Sequence, residues 1–276
     1  MRGGDGGAGV AGPAYRVAAA GVFRAMDLLR WRVTSTGLEH VPRSGGAILV
    51  ANHLSYVDYF TVGRPPYEVL GRPMRLLGKA SLFRVPVVGS LMRASGHIPV
   101  ERGVGASALA AAVDALGAGE LVGVLPEQTI SPSLDLLPFK TGAVRMSQLT
   151  GAPLVPAVSW GTQRALPVGG PYRPAPGLRV LVAYGPPRVV GADADPVVET
   201  EALRCEMAAM LEVLQRSHPD GLPAGARWVP ARLGGGAPTA EESEAELERL
   251  RGRWSRRAGR RSEDVGGRGR HERPGS

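Results

Sequence analysis

Cysteine and lysine are almost missing from this chain of 276 residues. Cys205 is the sole cysteine, and Lys79 and Lys140 are the only lysines. One thiol excludes an intramolecular disulfide and leaves too little for a cysteine metal site, so the redox reading is cytosolic. Aromatic residues amount to 5%, which leaves few stacking platforms for nucleic acid. No apolar run of eighteen residues occurs, so no transmembrane span is expected, and the start "MRGGDGGAGVAGPAYR" lacks the basic and apolar regions of a secretion signal.

What is present is positive charge and enough apolar mass for a large core. The net charge is +8 and 43% of residues are hydrophobic, which is enough for one large domain or two small ones with a sizeable core and points to an anionic partner. Many arginines crowd the last thirty or so positions, outside any apolar pattern. Together with the scarcity of aromatics this argues against a nucleic-acid partner.

Apolar and polar periodicities alternate along the chain. Residues 1–13 are glycine-rich and read as disordered. Residues 14–34 read as an amphipathic helix, with Val22, Met26, Leu29 and Val33 on one stripe and Arg16, Arg24 and Arg30 roughly opposite. Such a helix suits either a membrane interface or packing on the domain, and the moment does not choose. A turn at Pro42, Gly45 and Gly46 leads to a buried strand from Ala47 to Ala51. "LLGKASLFRVPVVGSLMRASG" reads as two helical pieces broken at Pro86, followed by a short strand "HIPV". Further on come an alanine-rich helix, a strand at 121–125, a helix at "TGAVRMSQLTG", and strands at "PLVPAVSW" and "LRVLVAYG". A long helix from about Pro196 to Arg216 follows, with Leu203, Met207, Met210, Leu211 and Leu214 as its core stripe and Cys205 close to it. The pattern predicts a single α/β domain over 14–218, with a mixed, mainly parallel central sheet flanked by helices. Residues 219–240 read as a Pro/Gly linker, and 241–276 as a charged helix with a disordered basic tail.

Three polar islands follow apolar strands: "ANHLSYVD", "GHIPVERG" and "LPEQTIS". The ends of strands are where α/β sheets assemble ligand sites. His53 and Asp58 are five residues apart, about 140° on an ideal helix, so they meet only across a turn or an irregular first turn. Brought together, the carboxylate would fix the ring and leave the other nitrogen as a base. Ser55 is a rival nucleophile. No G-x-S-x-G elbow accompanies it, so it reads as a turn or cap residue. Arg102 offers a donor fork suited to phosphate, and Glu127 an acceptor for a hydroxyl or a partner for the base.

In order and spacing these blocks resemble the glycerolipid acyltransferases, the PlsC-like 1-acylglycerol-3-phosphate acyltransferases and their glycerol-3-phosphate acyltransferase relatives. "NHLSYVD" is similar to the family's N-H-x-x-x-x-D, "GHIPVER" to G-x-I-P-V-x-R, "LPEQTIS" to F-P-E-G-T-x-S, and "APLVPAVSWG" to the later apolar block with proline. The resemblance implies that His53 is the general base and Asp58 its orienting partner. It implies that Arg102 binds the acceptor's phosphate, with Gly96 and Pro99 in the same block, and that Glu127 and Thr129 place the acceptor. It gives Val155 and Pro156 the apolar side of the site, with Asn52, Lys79 and Gln128 as further candidates, and Lys79, Arg72 and Arg75 could add an anion-attracting rim. The implied reaction moves a fatty acyl group from acyl-CoA or acyl-carrier protein to a lysophospholipid hydroxyl, without metal or cofactor. It takes place in peripheral contact with the cytoplasmic face of the cell membrane. Two positions depart from the family pattern: Leu125 stands where phenylalanine is usual, and Gln128 where glycine is usual. Glycine there suits a left-handed backbone or a close approach to ligand. The alternatives are a non-catalytic or acceptor-shifted lipid-binding homologue and, lacking an identifiable nucleophile, a hydrolase.

Overall fold

The computed structural model describes residues 11–101, 105–168, 172–173 and 175–249. The helix α1, Pro13–Leu28, begins with proline at its first turn, where the missing N–H has no partner to lose. It ends five residues before Val33, the last residue of the apolar stripe, because Arg32–Thr36 is the strand β1 and Val33 lies in it. Ala11 is buried, so order begins inside the segment read as disordered, whereas residues 1–10 lie outside the described residues.

The remaining elements follow in chain order: β2 Ala47–Ala51, α2 Asp58–Leu70, β3 Met74–Lys79, α3 Ala80–Phe83, α4 Val88–Ala94, β4 Ile98–Val100, α5 Gly105–Gly117, β5 Leu121–Val124, α6 Gly142–Thr150, β6 Leu154–Trp160, β7 Arg179–Tyr184 and α7 Pro196–Ser217. "LLGK", expected to be helical, belongs to β3. Four apolar or small residues cannot distinguish a strand from a helical turn, and pairing with β5 and β4 on either side decides it.

The seven strands form one sheet in the order β1-β7-β6-β2-β5-β3-β4. Every pairing is parallel except β6 with β7. The five strands from β6 to β4 therefore point their C-terminal ends to one edge. β2 is central and wholly buried. Its alternation splits the core: Ile48 and Val50 join the cluster containing Leu116, Val144, Leu203 and Met207, and Ala47, Leu49 and Ala51 join the one containing Tyr15, Phe23, Met26 and Val62. Helices α5–α7 thus cover one face, and α1 and α2 the other. On α7 Cys205 is exposed, off the stripe it was expected to adjoin.

The apolar face of α1 is turned inward. Tyr15, Ala19, Phe23 and Met26 are buried, while Val22, Leu29 and Val33 of the expected stripe are half-buried and Val17 and Leu28 stand exposed on the outer side. Residues 219–240, which composition marks as a linker, lie against the domain. Val229 is fully buried, Trp228 packs on Trp160 and His218, and Gly236 N–H donates to the Ala226 carbonyl at 2.8 Å. Residues 240–249 are helical. The charged helix and tail expected over the remaining C-terminal residues, 250–276, lie outside the described residues.

Candidate active site

β2 runs directly into the site, and three separate anchors fix its exit. Asn52, fully buried, makes a reciprocal pair with Ser159 on the neighbouring β6: its Nδ2 donates to the Ser159 carbonyl at 3.1 Å, and Ser159 N–H donates to its Oδ1 at 2.7 Å. His53 is held through its backbone by the loop after β5. Its N–H donates to Glu127 Oε1 at 2.8 Å and its carbonyl accepts from Ser131 N–H at 2.9 Å. Leu54 and Ser55 then donate their N–H groups to Asp58 Oδ2 at 2.6 and 2.7 Å. The chain curls around the carboxylate before α2 begins.

Asp58 is the first residue of α2 and has no solvent exposure. Its Oδ1 accepts from Ser159 Oγ at 3.1 Å and from Thr162 Oγ1. Four donors hold a buried carboxylate in one orientation and compensate its lost hydration. The same Oδ2 lies 3.6 Å from His53 Nδ1, just beyond hydrogen-bond length. Nδ1 is sealed from solvent and without a hydrogen-bond partner, yet the side chain is 18% exposed. The accessible part of the ring therefore excludes Nδ1, which leaves Nε2 as the nitrogen available to a substrate. A closure of less than about 1 Å completes the pair, and such bonds are often long before substrate arrives.

Glu127 occupies a different position from the one its charge suggests. Its two oxygens accept the His53 N–H and, at 2.8 Å, the Leu137 N–H, and only 5% of the residue is exposed. Burial pushes its carboxyl up to about 8, the two backbone donors partly oppose this, and the negative charge of Asp58 adds to it. Glu127 clips the His53 turn to the long loop after β5. Gln128 beside it has φ of +60° and an exposed side chain, the left-handed backbone that glycine serves without strain. Thr129 is half-buried on the same loop.

Other candidates separate by location. Gly96 has φ of +74°, and a Cβ there would stand 1.9 Å from the Arg75 guanidinium. Pro99 is exposed on β4, opposite Gly78. That strand is the sheet edge, three strands from β2. Arg102 lies outside the described residues. Lys79 is exposed at the end of β3. Arg72 is buried and donates to the carbonyls of Pro42, Gly45 and Gly119, and Arg75 grips Glu120 with two bonds of 2.9 and 2.7 Å. Neither forms an anion-attracting rim, because both guanidinium groups are already committed. Val155 and Pro156 lie inside β6 against Leu49 and Val50, buried in the core short of the strand's end. Ser55 is a turn residue, with its Oγ donating to the Leu166 carbonyl at 3.0 Å. His97 accepts the Leu76 N–H on Nδ1, and burial lowers it to about 4, so it is a neutral structural group.

Ser159 and Thr162 are the residues that sequence reasoning missed. The available signal was their place at the end of an apolar strand, as for His53. Among the described residues no group of three or more His, Cys, Asp or Glu converges on a metal-sized point.

Residues 32–160 match the family model described as Acyltransferase. The chain is 33% identical over 137 residues to the chloroplastic 1-acyl-sn-glycerol-3-phosphate acyltransferase BAT2 of Brassica napus, covering 48% of this chain and 38% of that protein. It is 32% identical over 136 residues to the 1-acyl-sn-glycerol-3-phosphate acyltransferase of Bacillus subtilis, covering 48% of this chain and 65% of that one. The chain thus spans well under half the length of the chloroplast relative. The crystal structure of the 1-acyl-sn-glycerophosphate acyltransferase PlsC from Thermotoga maritima superposes with a TM-score of 0.58 at 25% identity, over 72% of this chain and 78% of that one. The segment that carries this buried His-Asp turn and most of this sheet thus matches the Acyltransferase family model and is similar to PlsC and other 1-acyl-sn-glycerol-3-phosphate acyltransferases.

Proposed function

We propose that this chain is an O-acyltransferase that moves a fatty acyl group from a thioester to the free hydroxyl of a lysophospholipid of the 1-acylglycerol-3-phosphate kind. The observation that carries the reading is His53 with Nδ1 facing a four-fold held Asp58 and the rest of its ring open. Nε2 takes the proton of the acceptor hydroxyl as its oxygen bonds to the thioester carbonyl carbon. The tetrahedral adduct then expels the thiolate by breaking the C–S bond, and the imidazolium returns the proton to sulfur. The Asp58 carboxylate stabilises the imidazolium in between. The donor is acyl-CoA or acyl-carrier protein, and the acceptor's phosphate falls to Arg102 by the family pattern. The acceptor is a membrane lipid, which makes the site peripheral to a bilayer, on its cytoplasmic face.

Labelled acyl-CoA supplied with a panel of lysolipids tests this. His53→Ala is expected to lower kcat by about a hundredfold or more, the usual share of a general base. Equal rates in variant and parent would end the reading. A second reading, an acceptor-shifted homologue, is favoured by one observation: a glutamine holds the left-handed position after Glu127. Gln128→Gly in the same assay should redistribute rates among acceptors, and an unchanged profile would remove that reading.

A further inference from the structure

Five large apolar side chains stand exposed within ten residues of the α3–α4 hairpin: Leu82, Val85, Val87, Val88 and Leu91. The hairpin meets its packing needs elsewhere, with Phe83 buried and Gly89 so close that a Cβ would sit 2.0 Å from the Phe83 carbonyl oxygen. The five remain outside as one contiguous sequence patch, of the kind that marks an interaction surface. Val87 is the most exposed, at 78%, and its backbone is strained. With φ of +65° and ψ of −59°, and Val88 N–H donating to the Pro86 carbonyl at 2.7 Å, it forms a γ-turn of the rare positive-φ kind. A β-branched residue held there presents its side chain outward at an energetic cost, and strain of this sort gathers at functional surfaces.

The charge within the patch's own segment is of one sign. Between residues 76 and 100 there is no Asp or Glu, while Lys79, Arg84 and Arg93 are all present. Arg84 is 74% exposed and its ion pair with Glu101, at 3.9 Å, is long. The location is equally specific. The hairpin leaves the C-terminal end of β3, and β3 is separated from β2 by β5 alone, about 10 Å across the sheet. Patch and His53 therefore share one edge of the sheet. On α1 the buried stripe faces the domain and only Val17 and Leu28, three turns apart, are exposed large apolar residues.

We infer that the α3–α4 hairpin is the membrane-docking element of this protein: its valines and leucines enter the interfacial region of an anionic bilayer, and Arg84 and its neighbours meet the lipid headgroups. A second copy fits less well, since a two-fold contact of this patch with itself would bring Arg84 against Arg84. The inference deepens the acyl-transfer reading and rests on it only for the reason a bilayer is needed.

The test uses the full chain, floated with vesicles of phosphatidylcholine alone or mixed with phosphatidylglycerol, and the double substitution Val85→Ser with Val87→Asn. Asparagine lacks the β-branching that stiffens valine at this turn, so the variant should keep its melting temperature. It should bind mixed vesicles at least about tenfold more weakly, while retaining transfer to a monomeric short-chain acceptor. Arg84→Gln should cost about fivefold at low salt and less at high salt. Equal binding by the double variant, no binding by the parent chain, or a parent dimer that the variant dissociates would each overturn the proposal. Vesicle binding without any acyl transfer would instead count against the catalytic reading and leave the docking surface standing.

Discussion

Asp58 shows how much of the site depends on one side chain. It is fully buried, and its oxygens collect two backbone and two hydroxyl donors. Asp58→Asn keeps the shape but turns an amide N–H2 toward groups that are themselves donors. The expected loss is about 3 kcal/mol of stability, because hydrogen bonds to a charge are worth roughly 1.5–3 kcal/mol each. In a urea titration the midpoint should fall, and kcat should drop by roughly tenfold or more with KM little changed, as expected for a group that acts through the base. Gln128 works in the other direction. A non-glycine residue at φ of +60° costs about 1 kcal/mol relative to glycine, so Gln128→Gly should raise stability by that amount in the same titration. The motif spacing made His53 and Asp58 legible, and the departure at Gln128 was legible too. Ser159 and Thr162 were not, because their value comes from β6 lying beside β2, a neighbour relation that no local pattern encodes.

Two titrating groups tie elements together, and each gives stability a pH dependence. His97 accepts the Leu76 N–H across to β3 and its folded pKa is depressed from 6.5 to about 4 by burial, then by the charge of Arg75. Below pH 6.5 the unfolded chain gains a proton that the folded one refuses, so stability falls as pH drops from 6.5 toward 4, by about 3 kcal/mol. Glu127 clips two loops with a carboxyl raised from 4.5 to about 8. Between those values the folded state holds the extra proton, so stability falls as pH rises through that window. Between pH 4.5 and 6.5 the two slopes oppose and nearly cancel, so denaturation midpoints measured from pH 4 to 8.5 should be nearly level there and fall from 6.5 to 8. His97→Gln should uncover a fall that begins near pH 4.5, and Glu127→Gln should remove the fall above 6.5 and leave a rise below it, with stability lowered because its amide faces one backbone donor. At this scale the strands with long apolar runs were legible, whereas "LLGK" and the end of α1 were not. Short segments take their form from the strands that pair with them, and the stripe on α1 continues in phase into β1 by coincidence of spacing.

For the whole molecule, the segment beyond residue 218 should matter to a site it does not touch. Composition marks it as a linker because proline and glycine dominate, yet its few large residues are well placed. Trp228 packs tilted against Trp160 and carries the Arg164 guanidinium over its ring at 4.5 Å, and its carbonyl accepts from Gln163 Nε2 at 3.2 Å. Gln163 in turn accepts the Gly161 N–H at 2.9 Å through Oε1. This turn carries Thr162, whose hydroxyl donates to Asp58. A chain of contacts thus runs from the C-terminal segment through the 161–163 turn to the partner of His53. Trp228→Ala removes a half-buried ring and its cation-π partner, and should cost about 2 kcal/mol. If the turn transmits the loss, kcat should fall while the lipid acceptor's KM holds, and truncation after residue 218 should reproduce and exceed the effect. A truncated chain with the parent's melting temperature and rate would show that residues 32–160, the part shared with the acyltransferase relatives, need no such brace.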